Sequence, residues 1–338
     1  MLPSKSSFMD HFRWLRWAAK AHGVEVLLEL DSMKAFLRKD GRHWVLHPRF
    51  IAEIDGVPNY FSQFTDECSH LAGWTAAQLP GWPAAKDKLT FKRAAMQLGL
   101  PVPAFSAEPN AVMEQVVVKR ASGSFGQHVH GPFRSTAERP LRLAEGEYYE
   151  RFIEGQDLKI WYWGDAPVAM ERDTMPTMVG DGVSSFRQLV HARVRPKLRI
   201  TPERLERIFA RCAAMLQYDG LSLEDVPAKG TRHRVEFRYG TEVMQLTDRQ
   251  VLDLRDKSDP QWQLLHEAGP KLAQLVPAGV RNIAMFTVDA VQDAQGRIWL
   301  LEMNSHPTVH PLIYDPMVRS LLAMDFPVAE QTAPVASA

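Results

Sequence analysis

Apolar residues in this chain fall into short runs punctuated by Gly, Pro and Asp, and the period within each run predicts the element it forms. Residues 10–22 are rich in helix formers and aromatics, with Gly23 placed to close the helix, and residues 24–30 read as a strand. Asp87 is placed as an N-cap for a helix through Leu98, with Gly99 next and Pro101 and Pro103 blocking continuation. Residues 115–119 form a short β-branched strand running into the Ser/Gly loop 120–126, and residues 147–153 form another strand, broken at Glu154-Gly155. Residues 159–163 and 166–172 read as a hairpin turning at Gly164-Asp165. Helices follow at 185–192, after Thr201-Pro202-Glu203 and at 261–275, and residues 227–250 alternate strand-like segments with turns at Lys229-Gly230 and Tyr239-Gly240.

The run with the most chemistry is a last hairpin, 285–291 and 298–304, folded about Asp293-Ala294-Gln295-Gly296. Side chains alternate along a strand, so Glu302 and Asn304 point the same way. Folding about Ala294-Gln295 puts Asp289 opposite Leu300, on that same face and diagonal to Glu302 at about 7–8 Å. An acidic residue in a hairpin is usually solvated. Here Glu302 and Asn304 interrupt an apolar run of the kind that is normally buried, and a buried carboxylate needs a partner or a cation. Three oxygen ligands on one face suit Mg²⁺.

Composition narrows the function classes. The chain has 338 residues, 45% apolar and 24% charged, enough for two or three domains with a large core. The formal net charge is zero, so nothing pulls it toward nucleic acid or an anionic membrane. Two cysteines, Cys68 and Cys212, make no disulfide framework and read as buried thiols. With neither an apolar signal segment nor an 18-residue apolar run, a cytoplasmic location is expected. Residues 187–211 carry eight Lys/Arg against two Glu, either a solvated helix face or an anion-attracting rim.

A Lys ending a strand, followed by Ser and Gly, can set its ammonium against phosphates while loop amides close over them; Lys119 and residues 122–126 have this form, without a Walker A or dinucleotide fingerprint. The order of parts adds more: Asp87-Lys88 opening a helix, Leu98-Gly99-Leu100-Pro101-Val102-Pro103, Val117-Val118-Lys119, Glu150-Arg151-Phe152-Ile153-Glu154-Gly155-Gln156-Asp157, Gly180-Asp181-Gly182, Asp289 and Glu302-Met303-Asn304. Over roughly residues 86–320 this order resembles the ATP-grasp superfamily, above all the carboxylate–amine ligases around cyanophycin synthetase and bacterial glutathione synthetase. Residues 1 to about 85 alternate helix-like and strand-like signals and fit a small N-terminal α/β lobe for packing and substrate surface; beyond it the resemblance implies an α/β (α+β) ATP-grasp fold. A lid subdomain (86–153) and an antiparallel C-terminal catalytic subdomain (154–326) would hold ATP between them, followed by a flexible tail (327–338).

It implies roles residue by residue. Lys88 and Lys119 contact phosphates, with Ser122, Gly123, Ser124 and Gly126 in the mobile loop above them. Glu150 and the backbone of Phe152 and Ile153 read the adenine edge, Leu300 floors the base and Asp157 takes the ribose. Asp289, Glu302 and Asn304 hold Mg²⁺, two ions with Mn²⁺ as a substitute. Arg172 and Lys159 are candidates for steadying the transferred phosphoryl group, Arg281 for a substrate carboxylate, and His306 or His310 for a general base toward the amine. Structural alternatives stand beside each: surface arginines, a salt-bridging lysine, loop histidines. Only 31 positions separate Lys88 from Lys119, a short lid, and Ser305-His306-Pro307-Thr308 departs from the Pro-Gly turn usual in such ligases.

The expected reaction joins a small carboxylate and an amine, amino acids or peptides, through an acylphosphate with release of ADP. The expected enzyme binds neither nucleic acid nor membrane, and a homodimer is the common assembly of such ligases. The alternatives are an ATP-grasp kinase, a carboxylate–thiol ligase or a nonenzymatic nucleotide-binding regulator.

Overall fold

The computed structural model describes residues 8–54, 57–79, 81–123, 129–137, 143–194, 200–238, 241–244 and 249–324. Ser124, Gly126, the Tyr239-Gly240 turn and the tail 327–338 lie outside them.

Helix α1 (Phe8–Ala21) ends where Gly23 turns left-handed at φ 67°. An antiparallel sheet follows: β1 (Glu25–Leu28), β2 (Ala35–Lys39), β3 (Arg42–Ile54), β4 (Val57–Phe61) and β5 (Cys68–Thr75), in the order β1-β2-β3-β4 with β5 also on β3. The expected alternation of helix and strand is absent from this lobe. Asp40-Gly41, with φ of 49° and 76°, makes a two-residue turn whose twist suits an antiparallel pair, so the chain doubles back without a helical crossover.

Helix α2 (Pro83–Lys86) leads into α3 (Lys88–Gln97), capped by the Asp87 carboxylate, which accepts from Thr90 N at 2.6 Å. Gly99, at φ 68°, closes α3 as its sequence predicts. Strands β6 (Phe105–Ser106), β7 (Glu114–Arg120), β8 (Val129–Ser135) and β9 (Glu147–Arg151) form a sheet in the order β6-β9-β7-β8. The remainder is β10 (Gly155–Trp163), β11 (Ala166–Asp173), β12 (Thr177–Val179), α4 (Phe186–Arg193), α5 (Pro202–Tyr218), β13 (Arg232–Arg234), β14 (Gln250–Asp253), α6 (Gln263–Ala273), β15 (Met285–Asp293), β16 (Ile298–Asn304) and α7 (Tyr314–Ala323). Its main sheet runs β14-β11-β10-β15-β16, antiparallel throughout. The class is therefore mixed α and β with antiparallel sheets, and among the described residues no helix is long and apolar enough to cross a membrane.

Alternation along the main sheet divides its faces. Leu158, Ile160, Met170, Phe286, Val288 and Leu300 pack with Phe91 and Ala95 of α3 and Leu265 and Leu272 of α6. A second core joins the N-terminal sheet to the end of the main sheet: Leu15, Leu37, Leu46 and Trp74 pack with Trp161, Trp163, Met285, Tyr314 and Met317. The Tyr314 hydroxyl ties this core together, accepting from Trp74 N at 3.2 Å and bonding His11 Nδ1 at 2.9 Å.

Gly155 starts β10 where the two later sheets meet, and a Cβ there would lie 2.0 Å from Gln292 O. A Gly155→Ala substitution must push β10 off β15, so it is expected to cost about 1–3 kcal/mol in denaturant unfolding. Gly279→Ala, whose Cβ meets nothing within 4 Å, is the control and should leave the midpoint unchanged.

Candidate active site

The face of the main sheet turned away from α6 carries the chemistry. Cross-strand register places Asp157 opposite Asp173, Lys159 opposite both Glu171 and Asp289, and Asp289 opposite Glu302. Thr287 pairs with Asn304, so Asp289, Glu302 and Asn304 do share a face. The register itself differs from the regular hairpin expected. Ala290 pairs with Leu300 and Asp289 with Glu302, leaving Leu301 as a bulge. That extra residue makes Asp289 and Glu302 direct neighbours rather than diagonal ones. The turn is itself one residue longer than expected, closing Asp293 on Arg297, and this sets Leu300 opposite Ala290 on the other face, where it is buried in the α3–α6 core and cannot floor a ligand above Asp289. Leu301 is half-buried and belongs to none of the apolar clusters.

Helix α3 bridges this face to the second sheet. Lys88 and Lys92, four residues apart, share one side of it. The Lys88 ammonium lies 2.9 Å from Glu302 Oε2 and donates to Gly123 O at 2.7 Å, so the short spacing to Lys119 brings both lysines to one place. Lys119, from β7, lies 2.6 Å from Glu150 Oε1, and Lys92 lies 2.5 Å from Glu150 Oε2. Glu150 is thus not turned outward to read a base: its carboxylate is 1% exposed and clamps two ammoniums. Burial alone would raise its pKa, but Lys119 and Lys92 pull it down to about 2. Lys92 itself is fully buried, and burial lowers its pKa against the pull of Glu150. Sequence reasoning missed Lys92 because a helical lysine is ordinarily solvated; the signal was its spacing from Lys88 beside the buried positions Phe91 and Ala95.

Lys159 lies 3.0 Å from Asp289 Oδ1, and Asn304 Nδ2 donates to Asp289 Oδ2 at 3.1 Å. Burial raises the Asp289 pKa, Lys159 opposes it and the adjacent Glu302 adds to the rise. Glu302 goes the other way: burial pushes its pKa up, but Lys88, Lys119 and a hydrogen bond with Asp289 together bring it down. Asp157 is pushed well above the ordinary carboxylate range by burial and by Asp173 and Asp289.

The other candidates divide. Arg172 alternates to the core face, where its guanidinium bonds Gln250 Oε1 (2.9 Å from Nε) and lies 5.9 Å from the Trp262 ring; it is not in the phosphoryl site. Arg249 occupies the inner face instead, 2.7 Å from Glu171 and 2.9 Å from Asp173. Arg281 precedes β15 and donates to the carbonyls of Gln274 (3.5 Å) and Val276 (3.4 Å), closing the end of α6 rather than facing a substrate. His306 is held by Ser305 Oγ at 2.7 Å and Leu79 O at 2.9 Å, so both ring nitrogens are engaged, and burial lowers its pKa. His310 is buried, its Nδ1 accepts from Leu312 N at 3.2 Å, and burial holds its pKa at about 4; it builds the loop. Phe152 donates its N–H to Gln115 O at 2.5 Å and packs edge-on to Tyr218 and Phe237, while Ile153 links β9 to β10 and Ser122 follows β7. Arginines of the basic stretch are paired, Arg187 with Glu224, Arg204 and Arg211 with Glu242, as a structural face would be.

The donor set fits a hard divalent cation and a polyphosphate. Two carboxylates and a carboxamide share one rigid face, and the Lys88, Lys119 and Lys159 side chains, 18%, 14% and 18% exposed, stand beside them. Among the described residues no group of three or more His, Cys, Asp or Glu is placed to hold a metal ion.

Because the Glu150 pKa is depressed from 4.5 to about 2, its stabilisation is complete above pH 4.5 and is lost as pH falls toward 2. Glu150→Gln should cost about 3–5 kcal/mol at pH 7, leaving two ammoniums without their anion, and should flatten the stability profile between pH 4.5 and 2. Denaturant titrations across that range check both.

No protein-family model matches the chain. A glutathione biosynthesis bifunctional protein of Streptococcus mutans is 26% identical over 257 residues, covering 68% of this chain and 33% of that protein. The Clostridium perfringens protein of the same name is 21% identical over 210 residues, covering 58% of this chain and 26% of its own length. The chain thus spans about a third or less of these relatives. Among solved structures, a bifunctional glutathione synthetase from Pasteurella multocida covers 92% of this chain and 43% of its own at 14% identity and TM-score 0.40. An L-amino acid ligase from Bacillus licheniformis covers 68% and 43% at 12% identity and TM-score 0.36. In its motif order and in these sequence relatives, the chain resembles the ATP-grasp ligases of the glutathione synthetase kind.

Proposed function

We propose that this chain is an ADP-forming carboxylate–amine ligase that makes an amide or peptide bond between small amino-acid or peptide substrates. The observation that carries this is the pairing of Lys88, Lys119 and Lys159 with Glu302, Glu150 and Asp289 around one face of the main sheet. Cations and anions so interleaved can release each other: phosphate oxygens take the ammoniums, and the freed carboxylates take a divalent ion. Asp289, Glu302 and Asn304 would hold Mg²⁺, which neutralises phosphate charge when bound. Glu150 and Lys92 fix Lys119 in place, so that its ammonium needs no reordering when a phosphate arrives.

In the reaction, a carboxylate oxygen of the donor substrate attacks the γ-phosphorus of ATP, and the bond to the β-bridging oxygen breaks, releasing ADP. The amine of the acceptor then attacks the acyl carbon and loses a proton, and the bond to the phosphate oxygen breaks, releasing phosphate. The structural account of His306 leaves that proton to solvent or phosphate, since both ring nitrogens hold the loop.

Trapping with hydroxylamine tests the chemistry: a hydroxamate formed with ATP and a carboxylate substrate supports an acylphosphate, whereas a stable phosphorylated product identifies a kinase. Glu302→Gln should lower ADP formation by about 10²–10³-fold with little change in fold by circular dichroism. Lys119→Met should weaken ATP-analogue binding by about 10–100-fold in calorimetry, the loss of one charge-assisted contact.

A further inference from the structure

Arg49 lies outside the ATP and metal machinery. It sits on β3, and its side chain runs into the interior between the N-terminal sheet and the segment after β16. Only 8% of the residue is exposed, and Nη1 donates to Pro307 O at 3.0 Å. Among the described residues no carboxylate pairs with it. That is an unusual way to leave a guanidinium, because a buried charge without a counter-charge is costly to hold and is retained where something else supplies the anion.

Its neighbours define the place. Arg49 is paired with Gly73 of β5, whose missing side chain lets Val309 and the Tyr314 hydroxyl pack directly against the strand. The segment beyond Asn304 is pinned on every side: Trp161 Nε1 donates to Thr308 O at 2.8 Å, Val309 N to Ala72 O at 2.8 Å, and His306 bonds Leu79 O. Tyr60 of β4 hydrogen-bonds Thr308 and lies within electrostatic reach of both Arg49 and Lys159. Arg49 is therefore held against residues 306–308, with Tyr60 between it and the Lys159–Asp289 pair, and Lys86 is a second cation acting on His306 beside it.

We infer that Arg49 is the recognition group for a substrate carboxylate, entering between the N-terminal sheet and residues 306–308, so that the enzyme selects an amino acid or peptide bearing a free carboxylate. The phosphates already have Lys88, Lys119 and Lys159, and Arg49 belongs to a different lobe from all three. A fixed guanidinium presents parallel N–H donors that match a carboxylate, and Pro307 O orients it before the ligand arrives. Calling that anion a substrate rests on the ligase reading; the anion site itself does not.

The test uses the full chain without ATP. Thermal unfolding is followed while acetate, glycylglycine and glycylglycinamide are titrated at constant ionic strength, with chloride as the control. Wild type should gain a saturable Tm rise with acetate and glycylglycine but not with the amide or chloride. Arg49→Met should lose that response yet show an anion-free Tm equal to or above wild type, because an uncompensated buried cation has been removed. Arg49→Lys should retain part of the response and covers the case of a Met variant that does not fold. A Met variant that responds to carboxylates as wild type does, or a wild type that responds equally to the amide, overturns the proposal. With a substrate identified by ADP release, Arg49→Lys should raise its KM by about 10–100-fold while leaving the KM for ATP unchanged; a shift in the ATP value instead also overturns it. Carboxylate binding that depends on Arg49 in a protein releasing no ADP would leave the site standing and remove the ligase assignment alone.

Discussion

Five carboxylates, Asp157, Glu171, Asp173, Asp289 and Glu302, project from one face of a single antiparallel sheet, and the rest of the architecture is shaped by the need to balance them. No sheet can hide that much like charge alone. Lys88 reaches across from α3, Lys159 from the neighbouring strand, and Arg249 spans Glu171 and Asp173. Asp157 has no such ion pair among the described residues, and its raised pKa records the deficit. The opposite face is apolar apart from Arg172 near its edge and takes α3 and α6, so one helix serves both purposes: Phe91 and Ala95 enter the core while Lys88 and Lys92 turn to the charges.

This interdependence explains what was legible in the sequence. The C-terminal hairpin, the capped helix after Asp87 and the turn at Gly164-Asp165 rest on local rules, and local rules were enough. The bulge at Leu301 was not, because an apolar strand of that length carries no mark of an extra residue. The longer turn moved Leu300 to the core face, and the bulge at Leu301 then returned Glu302 and Asn304 to the face of Asp289. Arg172 and Arg281 failed for a related reason: each stands near the right residues in sequence, but alternation carries one through the sheet and the other caps a helix. Lys92, Arg249 and Arg49 owe their importance to partners or absences far along the chain, which spacing cannot reveal.

The N-terminal sheet was expected to supply packing and substrate surface, and its details make those one property. The contacts that seat it, Arg49 on Pro307 and Ala72 on Val309, fall on the segment that follows the metal-side strand. A rigid seat for the loop is also a rigid seat for whatever the loop touches.

The shared interior around Tyr314 has a consequence for how such a protein can change over evolutionary time. Leu15 and Trp74 from the start of the chain and Met317 and Leu321 from its last helix fill one another's gaps, so neither end forms a self-contained module. Exchanging the first lobe for that of a distant relative would leave ill-fitting hydrocarbon unless the closing helix travelled with it. A graft that keeps the joint intact must therefore carry Leu15 and Trp74 together with Met317 and Leu321.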